Sequence, residues 1–154
     1  MYARRLLLSA FIFAGMMAMG HSDAFAQGSP LFAVLNGGNE VSPTGQARAG
    51  DLDSYGSATI TFSNITPTSA TLCFAILVSG ITPATLAHIH QGRSGVNGGI
   101  LVNLIAPVGN PGRSAGCVAI TSAVLAQLRA VPAEFYVKVH NTQFPNGALR
   151  GQLF

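Results

Sequence analysis

Charge is what this sequence has least of. Asp, Glu, Lys and Arg make up 8% of its 154 residues, against about 25% in an ordinary soluble domain. That shortage excludes a polar disordered chain and a coiled coil. The eight Lys and Arg stand singly, apart from Arg4–Arg5. No basic stripe is available for nucleic acid, and the pI near 9.3 carries little meaning. Tryptophan is absent. Also missing are GxSxG, HExxH, a P-loop and a GxGxxG before a helix, so none of the chemistries those motifs support is encoded. No enzyme is expected.

Low charge and a mean hydropathy of +0.43 would also suit a membrane protein, but much of the apolar signal is concentrated at the start. Arg4 and Arg5 precede an apolar run, Leu6 to Gly20, that is too short to span a bilayer comfortably. Ala24-Phe25-Ala26 is the small-x-small pattern that a signal peptidase reads. Residues 1–26 are therefore expected to be a signal peptide, and 27–154 one exported domain, periplasmic or extracellular, with no membrane span. The domain is large enough for a real core.

The two cysteines, Cys73 and Cys117, lack CxxC spacing, which disfavours redox catalysis. An even count in an exported chain favours a disulfide. Two free buried thiols are the alternative, disfavoured by an oxidising compartment.

All eight prolines and most glycines lie beyond the leader and cut the chain into short segments. This is the punctuation of an all-β domain. Apolar or alternating runs predict strands over 31–35, 57–62, 71–78, 86–91, 100–105, 117–120, 134–140 and 148–153. Residues 36–53 and 107–116 read as loops, and 92–99 as a glycine-rich hairpin loop. Leu72, Phe74, Ile76 and Val78 share one face of the 71–78 segment, and Cys73, Ala75 and Leu77 the other. That reads as a strand covered on both sides. Thr121 can cap one short helix, 122–129. Seven or eight strands and one helix predict an antiparallel Greek-key β-sandwich.

In so neutral a chain the polar residues stand out. His88 and His90 are two apart on one predicted strand and project from the same face. His140 shares a face with Tyr136 and Lys138. Were the two strands neighbours, three imidazoles would converge into a candidate site for copper or zinc. The competing reading is structural: histidines bonded to loop carbonyls and stacked on Tyr136 or Phe144. Lys138 counts against a cation there. Glu40, one of four carboxylates beyond the leader, is expected to pair with Arg150, tying the N-terminal loop to the last strand. Asp51 and Asp53 lie close together but make a poor calcium site without further acids.

Four blocks in order complete the reading. They are LNGGNEV (35–41), AHIHQG (87–92), YVKVHN (136–141) and FPNGALRGQL (144–153). The series resembles the CHRD domain, described in chordin and found singly in exported bacterial proteins, over roughly residues 31–153. The paired cysteines also match the bacterial members. The resemblance implies an immunoglobulin-like or Cu,Zn superoxide dismutase-like sandwich outside the cytoplasm. Dismutase activity is not expected, because three histidines stand where that site uses six and an Asp. Two functions remain open at this point. One is a non-enzymatic binding or structural module for a protein or surface ligand. The other is a periplasmic copper- or zinc-binding protein.

Overall fold

The computed structural model describes residues 28–81 and 83–154; the expected signal peptide lies outside them. Nine strands are β1 (Leu31–Asn36), β2 (Tyr55–Ser63), β3 (Ser69–Ser79), β4 (Ala84–Gln91), β5 (Ile100–Leu104), β6 (Val108–Gly109), β7 (Gly112–Thr121), β8 (Phe135–Asn141) and β9 (Leu149–Gln152). One helix, α1 (Ser122–Ala130), starts on Thr121, whose hydroxyl accepts from the Val124 N–H. No helix among the described residues is long and apolar enough to cross a membrane.

All pairings are antiparallel, in the order β5-β4-β8-β9-β1-β2-β3-β7-β6. This one sheet curls until residues of β5 approach residues of β7. The all-β class is as expected. Period-2 alternation sets the interior: Leu31, Ala33 and Leu35 of β1 meet Ala58, Ile60 and Phe62 of β2, and Leu72, Phe74, Ile76 and Val78 of β3. From the other half come Ala87 and Ile89 of β4, Phe135, Val137 and Val139 of β8, and Leu149. Leu125 and Leu128 of α1 close one end.

Two readings of the sequence need correction. The expected loop 107–116 is mostly strand: β6 and β7 form a hairpin, and β7 pairs with β3 along ten residues, from Gly112 to Thr121. Gly112, Ser114 and Gly116 hid it, since small residues weaken any strand pattern. Gly116 is small because the Phe74 ring packs against it, and a Cβ there would lie 3.2 Å from that ring. Secondly, β3 is covered on one side only. Ala75 and Leu77 are exposed, and with Ser57, Thr59, Arg113 and Ala115 they line a concavity of about 600 Å³.

The face of the sheet that is covered twice lies elsewhere. Every residue of β8 is buried. Its inner face joins the core, and its outer face, with those of β4 and β9, lies beneath three loops.

Candidate metal centre

The register of three strands assembles this outer layer. On β4 and β8, His90 lies opposite Tyr136, His88 opposite Lys138, and Leu86 opposite His140. On β8 and β9, Lys138 lies opposite Arg150 and Tyr136 opposite Gln152. Residues two apart on a strand share a face, so the two His of β4 and His140 of β8 meet. One ring nitrogen from each of His88, His90 and His140 lies within 4.8 Å of the others. Only 7–9% of each residue is exposed.

The loops that cover this layer are held by its own side chains. Arg150 donates to the carbonyls of Arg93 (2.9 Å) and Val96 (3.0 Å). The Gln152 amide donates to Gly92 O, and the Gly98 N–H donates to the Tyr136 hydroxyl. Asn97 ties this same loop to the 37–53 loop through the carbonyls of Val41 and Ser42. Gly98 is required sterically, because a Cβ there would overlap the Gln91 carbonyl.

Aromatic stacking orients the nearest histidine. The rings of His90 and Tyr136 are parallel to within 5°, with centroids 4.9 Å apart. The Arg150 guanidinium lies over the same tyrosine ring, 3.5 Å from its centroid. β4 and β9 flank β8 on opposite sides, so tyrosine bridges the arginine and the histidine.

Glu40 and Arg150 both belong to the layer, but the ion pair differs from the expected one. Glu40 pairs with Lys138, Nζ to Oε2 3.0 Å, and the same ammonium donates to Asn146 O. Arg150 is spent on loop carbonyls and the Tyr136 face. Its backbone carbonyl accepts from the Asn39 side chain, so the C-terminal strand does hold the N-terminal loop, by another route. Gly147 makes room for the carboxylate: at φ +135° a Cβ would come within 2.6 Å of it. Burial pushes the Glu40 pKa above its ordinary value, while the charges of Lys138 and Arg150 pull it down. Replacing Arg150 by Met removes the hydrogen bonds by which this buried side chain holds the carbonyls of Arg93 and Val96, and its stacking on Tyr136. A loss of about 2 kcal/mol is expected in urea unfolding. An unchanged midpoint would show that the loops hold without it.

The three histidines converge, and two of them also bond loop carbonyls, as the structural reading of the sequence expected. Nδ1 of His90 donates to Gly98 O (3.0 Å), and Nδ1 of His140 to Pro145 O (2.9 Å). A carbonyl only accepts, so both bonds fix the tautomer with the lone pair on Nε2. Those Nε2 atoms, and Nδ1 of His88, are buried and have no hydrogen-bond partner in the protein. Buried polar atoms without a partner are costly and call for an explanation.

All three histidines are held neutral. Burial lowers each pKa, and the positive charge of Lys138 adds to the effect. His90 is brought down to about 4, despite its bond to Gly98. A neutral imidazole is the ligand form. The unfolded chain binds protons near pH 6.5 that the folded chain refuses until about pH 4. Stability of the metal-free protein should thus fall as pH drops from 6.5 to 4. His90 alone accounts for about 2 kcal/mol after allowance for solvent screening. Thermal melts in chelator at pH 7 and pH 4 measure this, and His90→Asn should flatten the profile.

These blocks of sequence fall on the site, and the match to known families falls on the same span. A family model, that of the CHRD domain, matches residues 31–153. The chain belongs to the CHRD family. No curated protein and no solved structure matches it. Within this CHRD domain, Cys73 and Cys117 face each other across β3 and β7 with their sulfurs at bonding distance, 2.10 Å. They lie on the exposed face of the sheet, remote in register from the histidines. Gln152 and Asn97, which the CHRD layer depends on, were not singled out as site residues in the sequence, whereas Tyr136 was, as a ring on which a histidine could stack. The signal was there: on 135–141 and 149–153 polar residues alternate with apolar ones, although both strands are buried.

Proposed function

We propose that this CHRD domain is an exported, non-enzymatic metal-binding module that holds one copper or zinc ion on His88, His90 and His140. The observation that carries it is three buried imidazoles, each with an unpartnered nitrogen, that bring one ring nitrogen apiece within 4.8 Å of one another. Imidazole suits both ions, and three nitrogens leave a further position for water or a ligand. The disulfide, the expected leader and the family support a compartment outside the cytoplasm, periplasmic or extracellular. Absence of a second acid–base pair supports a binding role over catalysis. Elemental analysis of the purified protein tests the reading: about one copper or zinc per chain is expected. Protein that stays metal-free after exposure to both ions would instead leave a binding or structural module that recognises a protein or surface ligand through its loops.

A further inference from the structure

We infer that the three-histidine site is selective for a monovalent d¹⁰ ion, Cu(I), over Zn(II) and Cu(II). This rests on the metal-binding reading above and deepens it. Three features of the layer lead to it.

The first is the donor set. The cluster holds three histidines and no carboxylate or thiolate. Both cysteines are spent in the disulfide, and no methionine lies beyond residue 19. Three neutral nitrogens bring no negative charge to offset a cation. Cu(I) is content with three ligands, whereas zinc and Cu(II) require a fourth or fifth.

The second is the local field. Lys138 lies opposite His88 in the register, and Arg150 lies opposite Lys138. Among the described residues, Glu40 is the one carboxylate paired within this layer, and it is engaged by Lys138. Two cations against one anion leave the surroundings positive before any metal arrives. Repulsion from that field doubles for a divalent ion.

The third is burial. The ligands are 7–9% exposed, and the Born cost of dehydrating an ion rises with the square of its charge, so a divalent ion pays about four times as much as a monovalent one. A divalent ion would need an anion or hydroxide beside it to relieve this. The hydrogen bonds of Arg150, Gln152, Tyr136 and Asn97 close the loops over the layer.

Competition titrations on the purified protein test the inference. Cu(I) is supplied anaerobically against bicinchoninate, and Zn(II) against a chromophoric chelator. The expected result is one Cu(I) per chain, held at least about 100-fold more tightly than Zn(II) at pH 7. Zn(II) held as tightly as Cu(I), or more tightly, overturns the selectivity and leaves the metal site standing. Failure of both ions to bind sinks the selectivity together with the site. An Arg150→Gln variant, which removes the second cation and keeps the Lys138–Glu40 pair, probes the field. It should narrow the preference by about tenfold; an unchanged preference, with the metal still bound, overturns the electrostatic basis of the selectivity.

Discussion

His90→Ala is expected to lower metal affinity by at least about 100-fold while leaving the metal-free protein folded. Loss of a partner one shell out from a metal costs about 10–100-fold, and His90 is proposed as a ligand itself. Its ring is the most constrained of the three, stacked on Tyr136 and bonded to Gly98 O. Stability should respond differently from affinity. In the metal-free state Nε2 of His90 is a buried acceptor without a partner, so its removal relieves a cost while forfeiting the ring's packing and its bond to Gly98. These partly cancel, and the melting temperature in chelator should move by only a few degrees. A purely structural histidine would behave in the opposite way, with a large fall in melting temperature and no metal to lose. His88→Ala and His140→Ala extend the comparison. Undiminished metal content after both substitutions would sink the three-histidine site.

The second large effect belongs to the disulfide. Replacing Cys73 and Cys117 together by Ala should cost about 4 kcal/mol, the chain-entropy value for a loop of this length. The cysteines are 44 residues apart in sequence. At this size the melting temperature should fall by about 10–20 °C. Packing contributes little, since on the open face of the sheet Cys73 is only partly buried and Cys117 is exposed. The bridge links two neighbouring strands, β3 and β7. It constrains the unfolded chain and does not shape the histidine site, so metal stoichiometry should survive the double substitution. Thermal unfolding with and without reductant measures the loss. Two free thiols in the unfolded, non-reduced wild type would refute the bridge.

Much of the architecture was legible in one dimension. The alternation of Leu72, Phe74, Ile76 and Val78 reports which side of β3 is buried, because side chains on a strand alternate whatever the strand packs against. The start of α1 was equally plain, since an N-cap acts within one turn. The first half of β7, 112–116, escaped because its glycines and serine are too small to mark a face, while 117–120 reads as strand. Its strand state comes from pairing with β3, which is remote in sequence. The open side of β3 escaped for a related reason: Ala75 and Leu77 are apolar and look buried, yet no layer was built over them.

The site divides in the same way. The shared face of His88 and His90 follows from their spacing alone, as does the placement of Tyr136, Lys138 and His140 together. That β4 lies beside β8 does not follow from spacing. It depends on a long connection that brings strands more than 40 residues apart into register. The ion pairs show the limit most clearly. Counting scarce charges correctly singled out Glu40 and Arg150 as members of a common layer, but charge alone does not choose a partner. Lys138 reaches the Glu40 carboxylate, while Arg150, with its planar guanidinium, is held by the Tyr136 ring and two loop carbonyls.

The sequence by itself thus determined the all-β class, the inward faces of the strands and the few polar residues worth testing. Those are properties of local period and composition. Tertiary structure alone decided which cation meets Glu40, which loops close over β8, and that one ring nitrogen from each of three histidines converges. Convergence depends on strand order and register, and those are set by the burial of the whole apolar core.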